Sequence, residues 1–262
     1  MEDFSKYNGE GTILRKAQKR MLEILIEVDK ICRKHNIPYW LDGGTLLGAV
    51  RHGGFIPWDD DLDIAMLRKD YDKLRKILPI ELPKQFVFED WRTNKDFNMK
   101  HGKVRDLNSY YEDSNWGNKN CYKGIYIDIF PKEKLISYKW RKIIDFFYGR
   151  AFRRLHGFNN SKIEYVIACL MWIPSYCVAN ISQFLANLFA KNNLGHPFGG
   201  LPFYHDCKKS IIFPLKELRF EDKLFPAPYN HHQYLTYQYG DYMQIPPAEQ
   251  RITHASKIEI YE

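Results

Sequence analysis

The stretch "LDGGTLLGAVRHGGFIPWDDDLDIAM", residues 41–66, decides how this chain is read. Its end holds four carboxylates within five positions, Asp59, Asp60, Asp61 and Asp63, beside an apolar run. Like charges this close repel, and burying them unpaired is costly. A cation therefore belongs beside them. "DLDIAM" alternates as a strand does. Asp61 and Asp63 leave one face, while Leu62 and Ile64 point to the other and anchor it in the core. Carboxylates held on a strand and joined by phosphate oxygens suit a hard divalent ion such as Mg2+ or Mn2+. Asp59 could add a ligand directly or through water, and Asp60 faces elsewhere. A solvated Asp-rich turn has the same composition, and Asp-x-Asp alone is weakly specific.

Just upstream, Gly43 and Gly44 allow a tight turn and close approach of a phosphate to backbone N–H groups. Thr45 adds a hydroxyl near the start of a short helix, where the dipole favours an anion. Arg51 supplies a planar cation, and His52 follows it as a further hydrogen-bonding group. The alternative is a capped helix between glycine turns. Proximity to the carboxylates favours the phosphate reading, because metal and phosphate sites are used together.

Farther out, "GIYIDIFP" (124–131) places Ile125, Ile127 and Ile129 on one face of a strand and Tyr126, Asp128 and Phe130 on the other. Pro131 is expected to end it. Asp128 is a candidate third carboxylate, set opposite Asp61 and Asp63 by a neighbouring strand, or else a strand-end cap. In "HGKVRD", Lys103 and Arg105 share a face, as a phosphate clamp or as two solvated positions. Residues 13–35 read as an amphipathic helix. "FVFED", "NMKHGKVRD" and "NSYYE" read as strands of a mostly antiparallel sheet. The pattern predicts an α+β chain with one catalytic domain over 1–262 and a helical insertion over 138–200.

Aromatic residues make up 16% of the 262 positions, which excludes a disordered chain. The formal charge of +7 favours anionic partners such as nucleotides, phosphorylated glycans, nucleic acid or an anionic membrane. No nucleic-acid recognition motif is visible, and the acidic cluster opposes one. The five cysteines are odd in number and lack Cys-x-x-Cys, which points to a reducing compartment. No apolar leader opens the sequence, so a cytoplasmic location is expected. From Tyr165 to Ala190 there is no charge, and cations mixed with rings precede it. That pattern predicts peripheral contact of 141–190 with an anionic membrane face, or a pair of buried helices.

The segment "YWLDGGTLLGAVRHGGFIPWDDDLDIAM" (39–66) resembles the signature of the LicD family of phosphotransferases, which is similar to the fukutin-related proteins. "KVRDLNSYYE", "GIYIDIFP" and "YLTYQYGDYMQIPPAEQRITH" resemble the later blocks of that family, so the likeness covers residues 18–131 and 224–254. The resemblance implies a nucleotidyltransferase-like fold, a mixed sheet flanked by helices. It implies transfer of a phosphocholine-like group from a CDP-activated donor such as CDP-choline to a sugar hydroxyl. The acceptor would be an envelope glycan, such as lipopolysaccharide or teichoic acid, or a lipid-linked glycan, and CMP would leave. The residues permit a matching mechanism. Asp61 and Asp63, helped by Asp59, hold one or two magnesium ions against the donor diphosphate. Gly43, Gly44, Thr45, Arg51 and His52 contact phosphate, with Lys103 and Arg105 from a second strand. Asp128 completes the metal site or accepts the acceptor's proton. A nucleotidyltransferase that releases pyrophosphate from an NTP would use the same residues. A basic nucleic-acid-binding module is the non-enzymatic alternative.

Overall fold

The amphipathic run near the N-terminus forms a helix because its apolar residues recur on one stripe. A computed structural model describes residues 3–113, 121–155, 161–190, 192–199 and 207–261. After the four-residue α1 (Ser5–Asn8), α2 spans Ile13–Lys34. Thr12 caps α2, its Oγ1 accepting from the Arg15 N–H at 3.2 Å. Ala17, Met21, Ile24, Leu25 and Val28 are fully buried on its inner stripe.

The chain then runs through β1 (Trp40–Leu41), α3 (Gly43–His52), β2 (Asp63–Leu67), α4 (Arg68–Glu81), β3 (Phe86–Asp90), β4 (Gly102–Asp106), β5 (Ser109–Asp113) and β6 (Tyr126–Lys134). The main sheet has the order β1-β2-β6-β4-β3. β2 and β6 are parallel, and the other pairings along this path are antiparallel. Ile64, Val104, Ile127 and Ile129 line one face of the sheet and are fully buried. α2 and α4 pack on the sheet, and the Tyr71 ring of α4 meets Phe88 of β3. The fold is α+β.

Three local expectations change. The strand at "NSYYE" is β5, but it leaves the main sheet and pairs instead with the C-terminal strand over residues 255–260. β6 does not stop at Pro131; it continues to Lys134. The Asp128 N–H points to β2, donating to Leu62 O at 2.8 Å. Alternation then turns the Pro131 nitrogen to the opposite side of the strand. There the β4 pairing has already ended at Ile129, so the missing N–H breaks no ladder bond. Asp61 precedes β2 rather than lying in it.

The region 138–200 is not wholly helical. α5 (Tyr138–Ile144) continues through a π-turn (Asp145–Gly149) into α6 (Arg150–Leu155), and α7 (Lys162–Phe189) follows. β7 (Asn193–Gly195) then pairs with Glu133 and Lys134. The excursion thus leaves and rejoins the sheet at the end of β6. Ile144, Tyr148, Ala179 and Phe198 form its own small core. A second joint is Lys100, buried at 6% exposure, whose Nζ stands 3.8 Å from the Trp91 ring centre and 3.7 Å from that of Phe152. Burial pushes this ammonium down to about 7. The chain closes with β8 (Cys207–Lys208), α8 (Lys209–Ile212), the hairpin β9 (Lys216–Phe220) and β10 (Lys223–Ala227), α9 (His231–Tyr239) and β11 (Ala255–Ile260).

Candidate active site

The face of the sheet opposite the isoleucines is polar, and register explains why. Asp63 of β2 pairs with Asp128 of β6, Asp128 with Lys103 of β4, and Lys103 with Glu89 of β3. Residues in register share a face, so these four stand in a row across the sheet. Asp42, just past β1, extends the row, its N–H donating to Asp63 O at 3.1 Å.

α3 begins at the end of this row. Gly43 has a φ of 54°, a left-handed conformation that glycine adopts without strain. A Cβ there would lie 2.6 Å from Asp63 Oδ2, and one at Gly44 would lie 2.6 Å from Asp59 Oδ2. The two glycines therefore let the carboxylates come down against the helix N-terminus, whose dipole favours them. Thr45 is committed as well. Its Oγ1 accepts from the Asp63 N–H at 2.7 Å and fixes the start of β2.

Asp59 and Asp61 are half-buried and Asp63 is buried. Among the described residues, none of the three makes an ion pair with a basic side chain. Burial, then the charges of Asp61 and Asp60, push the Asp59 carboxyl well up. Burial, then Asp61 and Asp128, do the same to Asp63. Asp61 rises to about 6 through burial and the nearby Asp128 and Asp60, against the pull of His254. Asp128 differs. Burial alone would raise its carboxyl, but Lys103 and His101 hold it well below the usual carboxylate range. Lys103 Nζ is 2.8 Å from its Oδ1, and His101 Nε2 is 3.1 Å from the same oxygen. The Lys103 ammonium also stands 3.3 Å from the Tyr126 ring centre. Arg105 sits one step away. Its Nη1 donates to Gly124 O at 3.1 Å and its Nε lies 3.5 Å from Glu89 Oε2.

Three crowded carboxylates without a cationic partner, on a rigid turn and strand, offer the hard oxygen donors a divalent ion prefers. Asp60 belongs to a different structure. It is fully buried and accepts from the Tyr111 hydroxyl at 2.8 Å, the Ala255 N–H at 2.6 Å, the His254 N–H at 3.1 Å and His254 Nδ1 at 3.0 Å. Oxygens of Asp59 and Asp60 and a ring nitrogen of His254 do lie within 4.8 Å of one another. The four donors on Asp60 leave it poorly suited to a metal, so Asp59, Asp61 and Asp63 are the nearby carboxylates that could hold one. Those donors also give His254 a contact: it latches the start of β11 to the aspartate turn.

Arg51 and His52 make contacts other than the expected phosphate contacts. Arg51 Nη1 donates to the carbonyls of Tyr242 at 3.0 Å and Gln244 at 3.2 Å, and its Nε donates to His52 Nε2 at 3.0 Å. The His52 ring packs edge-on against Phe4 and Trp58. Burial and Arg51 push it down to about 4, so it is neutral at pH 7. Arg51 secures the segment after α9 beside the site, and His52 holds Arg51.

Other site-lining groups escape a reading of local spacing. Asp42 is buried against Lys132, whose Nζ is 2.8 Å away, and accepts from the Tyr234 hydroxyl at 2.6 Å. Lys132 Nζ also lies 2.9 Å from His196 Nε2. The Tyr234 bond sets α9, which also carries Tyr239, beside the carboxylate row. Asp42 carried a signal, as an acid directly before the glycine pair. Tyr234 and Tyr239 lie too far along the chain for any spacing to show them.

The family model described as the LicD/FKTN/FKRP nucleotidyltransferase domain matches residues 36–165, which hold α3, β2, β4 and β6. The chain is 30% identical over 264 residues to lipopolysaccharide cholinephosphotransferase LicD of Haemophilus influenzae, covering 92% of this chain and 95% of that protein. It is 56% identical over 34 residues to human ribitol 5-phosphate transferase FKRP, 13% of this chain and 7% of that protein. It is 27% identical over 136 residues to mouse ribitol-5-phosphate transferase FKTN, 49% of this chain and 29% of that protein. The carboxylates crowded on the glycine turn lie within the matched region, and the first of these alignments runs nearly end to end; the chain is a transferase and belongs to the LicD family.

Proposed function

We propose that the protein moves a phospho-alcohol group from a CDP-activated donor to a sugar hydroxyl of a glycan and releases CMP. The observation that carries this reading is the meeting of Asp59 and Asp63 at the glycine turn, with Asp61 close enough to raise both carboxyls, beside the Asp128–Lys103 pair. The relative matched over nearly its whole length is a cholinephosphotransferase acting on lipopolysaccharide, which favours phosphocholine as the group transferred. In the reaction, the acceptor oxygen forms a bond to the phosphorus of the phospho-alcohol. The phosphorus–oxygen bond to CMP breaks, CMP leaves with the electron pair, and the acceptor hydroxyl's proton passes to the solvent.

Asp61 and Asp63, with Asp59, would hold a divalent ion, magnesium or manganese. When bound, such an ion neutralises the donor's diphosphate and stabilises charge on the leaving CMP. The glycine turn keeps these carboxylates close, and Thr45 holds the backbone of Asp63 in place. Lys103 brings a cation to the same face, where it meets phosphate oxygen. Asp128 stays ionised against Lys103 and His101, which makes it a weak proton acceptor. Its role here is to orient Lys103, to which it is paired, rather than to ligate the ion. Arg51 acts at a distance, by fixing the carbonyls of Tyr242 and Gln244.

The experiment is a donor screen with purified protein and a glycan acceptor. CDP-choline, CDP-ribitol, CDP-glycerol and CDP-ethanolamine are offered with and without magnesium, and CMP is read. Metal-dependent CMP release from one of them is expected. Release of pyrophosphate from an NTP, with no CMP from any CDP donor, would replace this reading with nucleotidyl transfer.

A further inference from the structure

The long helix α7 wears its apolar side chains on the outside. It has 28 residues, and among the described residues it is the one helix long and apolar enough to cross a membrane. Its buried stripe consists of small residues, Ala168, Ser175, Ala179, Ser182 and Ala186. Leu170, Ile173, Ile181, Phe184, Leu188 and Phe189 are between 60% and 72% exposed. A helix facing water would show the opposite arrangement. α5 and the π-turn add exposed Trp140, Ile143, Phe146 and Phe147 beside it. Between the two runs an apolar groove of about 520 Å³, walled by Ile143, Phe147, Leu170, Pro174 and Val178.

Charge accompanies this surface. Residues 138–155 hold six cations and one carboxylate, Asp145, and Asp145 lies 3.0 Å from Arg141. Lys139, Lys142 and Arg150 are exposed on the same stretch as the exposed rings. Arg150 lies over Phe146 at 4.2 Å and Lys142 over Tyr138 at 4.7 Å. Cations alternating with rings at an apolar rim match an anionic interface in which rings enter the boundary layer and cations meet head groups.

We propose that α5, α6 and α7 seat the protein on an anionic lipid leaflet, with α7 lying in the plane of the bilayer and the groove accepting an acyl chain. Lipid fits better than a protein partner because the apolar surface covers most of the circumference of α7. A protein groove engages one face of a helix. An in-plane position follows from the tethers at both ends. Near its start, Glu164 pairs with Arg154 at 3.0 Å. Near its end, Gln183 Nε2 donates to Lys134 O at 3.1 Å, and Lys134 Nζ donates to Asn187 O at 3.2 Å. Crossing would drag one of these charged tethers through hydrocarbon. The proposal is independent of which donor the active site takes.

Vesicle flotation tests it without any activity measurement. The full chain should float with phosphatidylglycerol–phosphatidylethanolamine vesicles and about tenfold less with pure phosphatidylcholine. Leu170→Glu with Phe184→Glu should abolish flotation, and Lys142→Glu with Arg150→Glu should weaken it about tenfold on the anionic vesicles only. All four positions are exposed, so the melting temperature should stay put and mark the variants as folded. Alkaline carbonate should release the wild type from the vesicles. Three results overturn the proposal: no flotation on anionic vesicles, equal flotation of the Leu170/Phe184 variant, or retention after carbonate. A dimer in light scattering that dissociates in that variant, without vesicle binding, would assign the face to a second copy of the chain instead.

Discussion

Replacing Asp60 with Ala would leave the Tyr111 hydroxyl and two backbone N–H groups of the β11 start without their buried acceptor. That loss should destabilise the protein by about 2–4 kcal/mol in a urea melt. One position away the sign reverses. Asp61→Asn and Asp63→Asn each remove a charge that burial and like neighbours oppose. Both variants should lose turnover by on the order of 10²-fold or more, while melting as well as the wild type or higher without metal. Equal turnover in both variants would remove them from the reaction. Alternation in the sequence singles out Asp63 and Asp128 as polar positions on apolar strands, and the β2–β6 register sets them side by side. It is silent about the four donors on Asp60, because His254 and Ala255 reach it from the far end of the chain.

Among the elements, the turn from β1 into α3 shows how one hydroxyl couples two segments. Thr45 accepts from the Asp63 N–H, so α3 and β2 share a fixed contact. Thr45→Val keeps the shape and leaves that N–H unsatisfied. It should cost about 1–3 kcal/mol, and Thr45→Ser should recover most of the loss, both read by thermal melting. The elements themselves were largely legible. The amphipathic run became α2, the isoleucine alternation became β6, and the glycine pair opens α3. What local pattern could not supply was partnership. β5 reads as one more strand of the sheet, yet its partner is β11, some 140 residues later. Pro131 reads as a stop, and only the finished register shows that its nitrogen faces a gap in the ladder.

At the scale of the whole molecule, the carboxylate cluster should write itself into the pH dependence of stability. A carboxyl raised on folding binds its proton more tightly in the folded state than in the unfolded one. Its stabilising effect is complete below the unfolded value near 4 and is lost as pH climbs through the folded value, about 6 for Asp61. His101 and His196, lowered by burial, act in the opposite sense. The difference between wild type and Asp61→Asn/Asp63→Asn isolates the cluster. Wild type should lose melting temperature relative to the double variant between pH 4 and 7. Millimolar magnesium at pH 7 should restore it in wild type alone, as ligand linkage requires. An unchanged difference across pH and metal would argue against a cation at this site.

β6 joins two places that this structure otherwise keeps apart. Asp128 stands at the carboxylate site, and Lys134, on the same strand, holds the end of α7. The six residue steps from one to the other span roughly 20 Å of extended chain, stiffened by pairing to neighbouring strands. With α7 on a leaflet as proposed, that strand would set an upper limit on how far the site stands from the bilayer. Under the two proposals above it would select acceptors by reach: a sugar hydroxyl held too near its lipid would stay below the site, while the same sugar cut free in solution would enter it. Matching lipid-linked and soluble acceptors of increasing length should reveal a threshold for the tethered series alone.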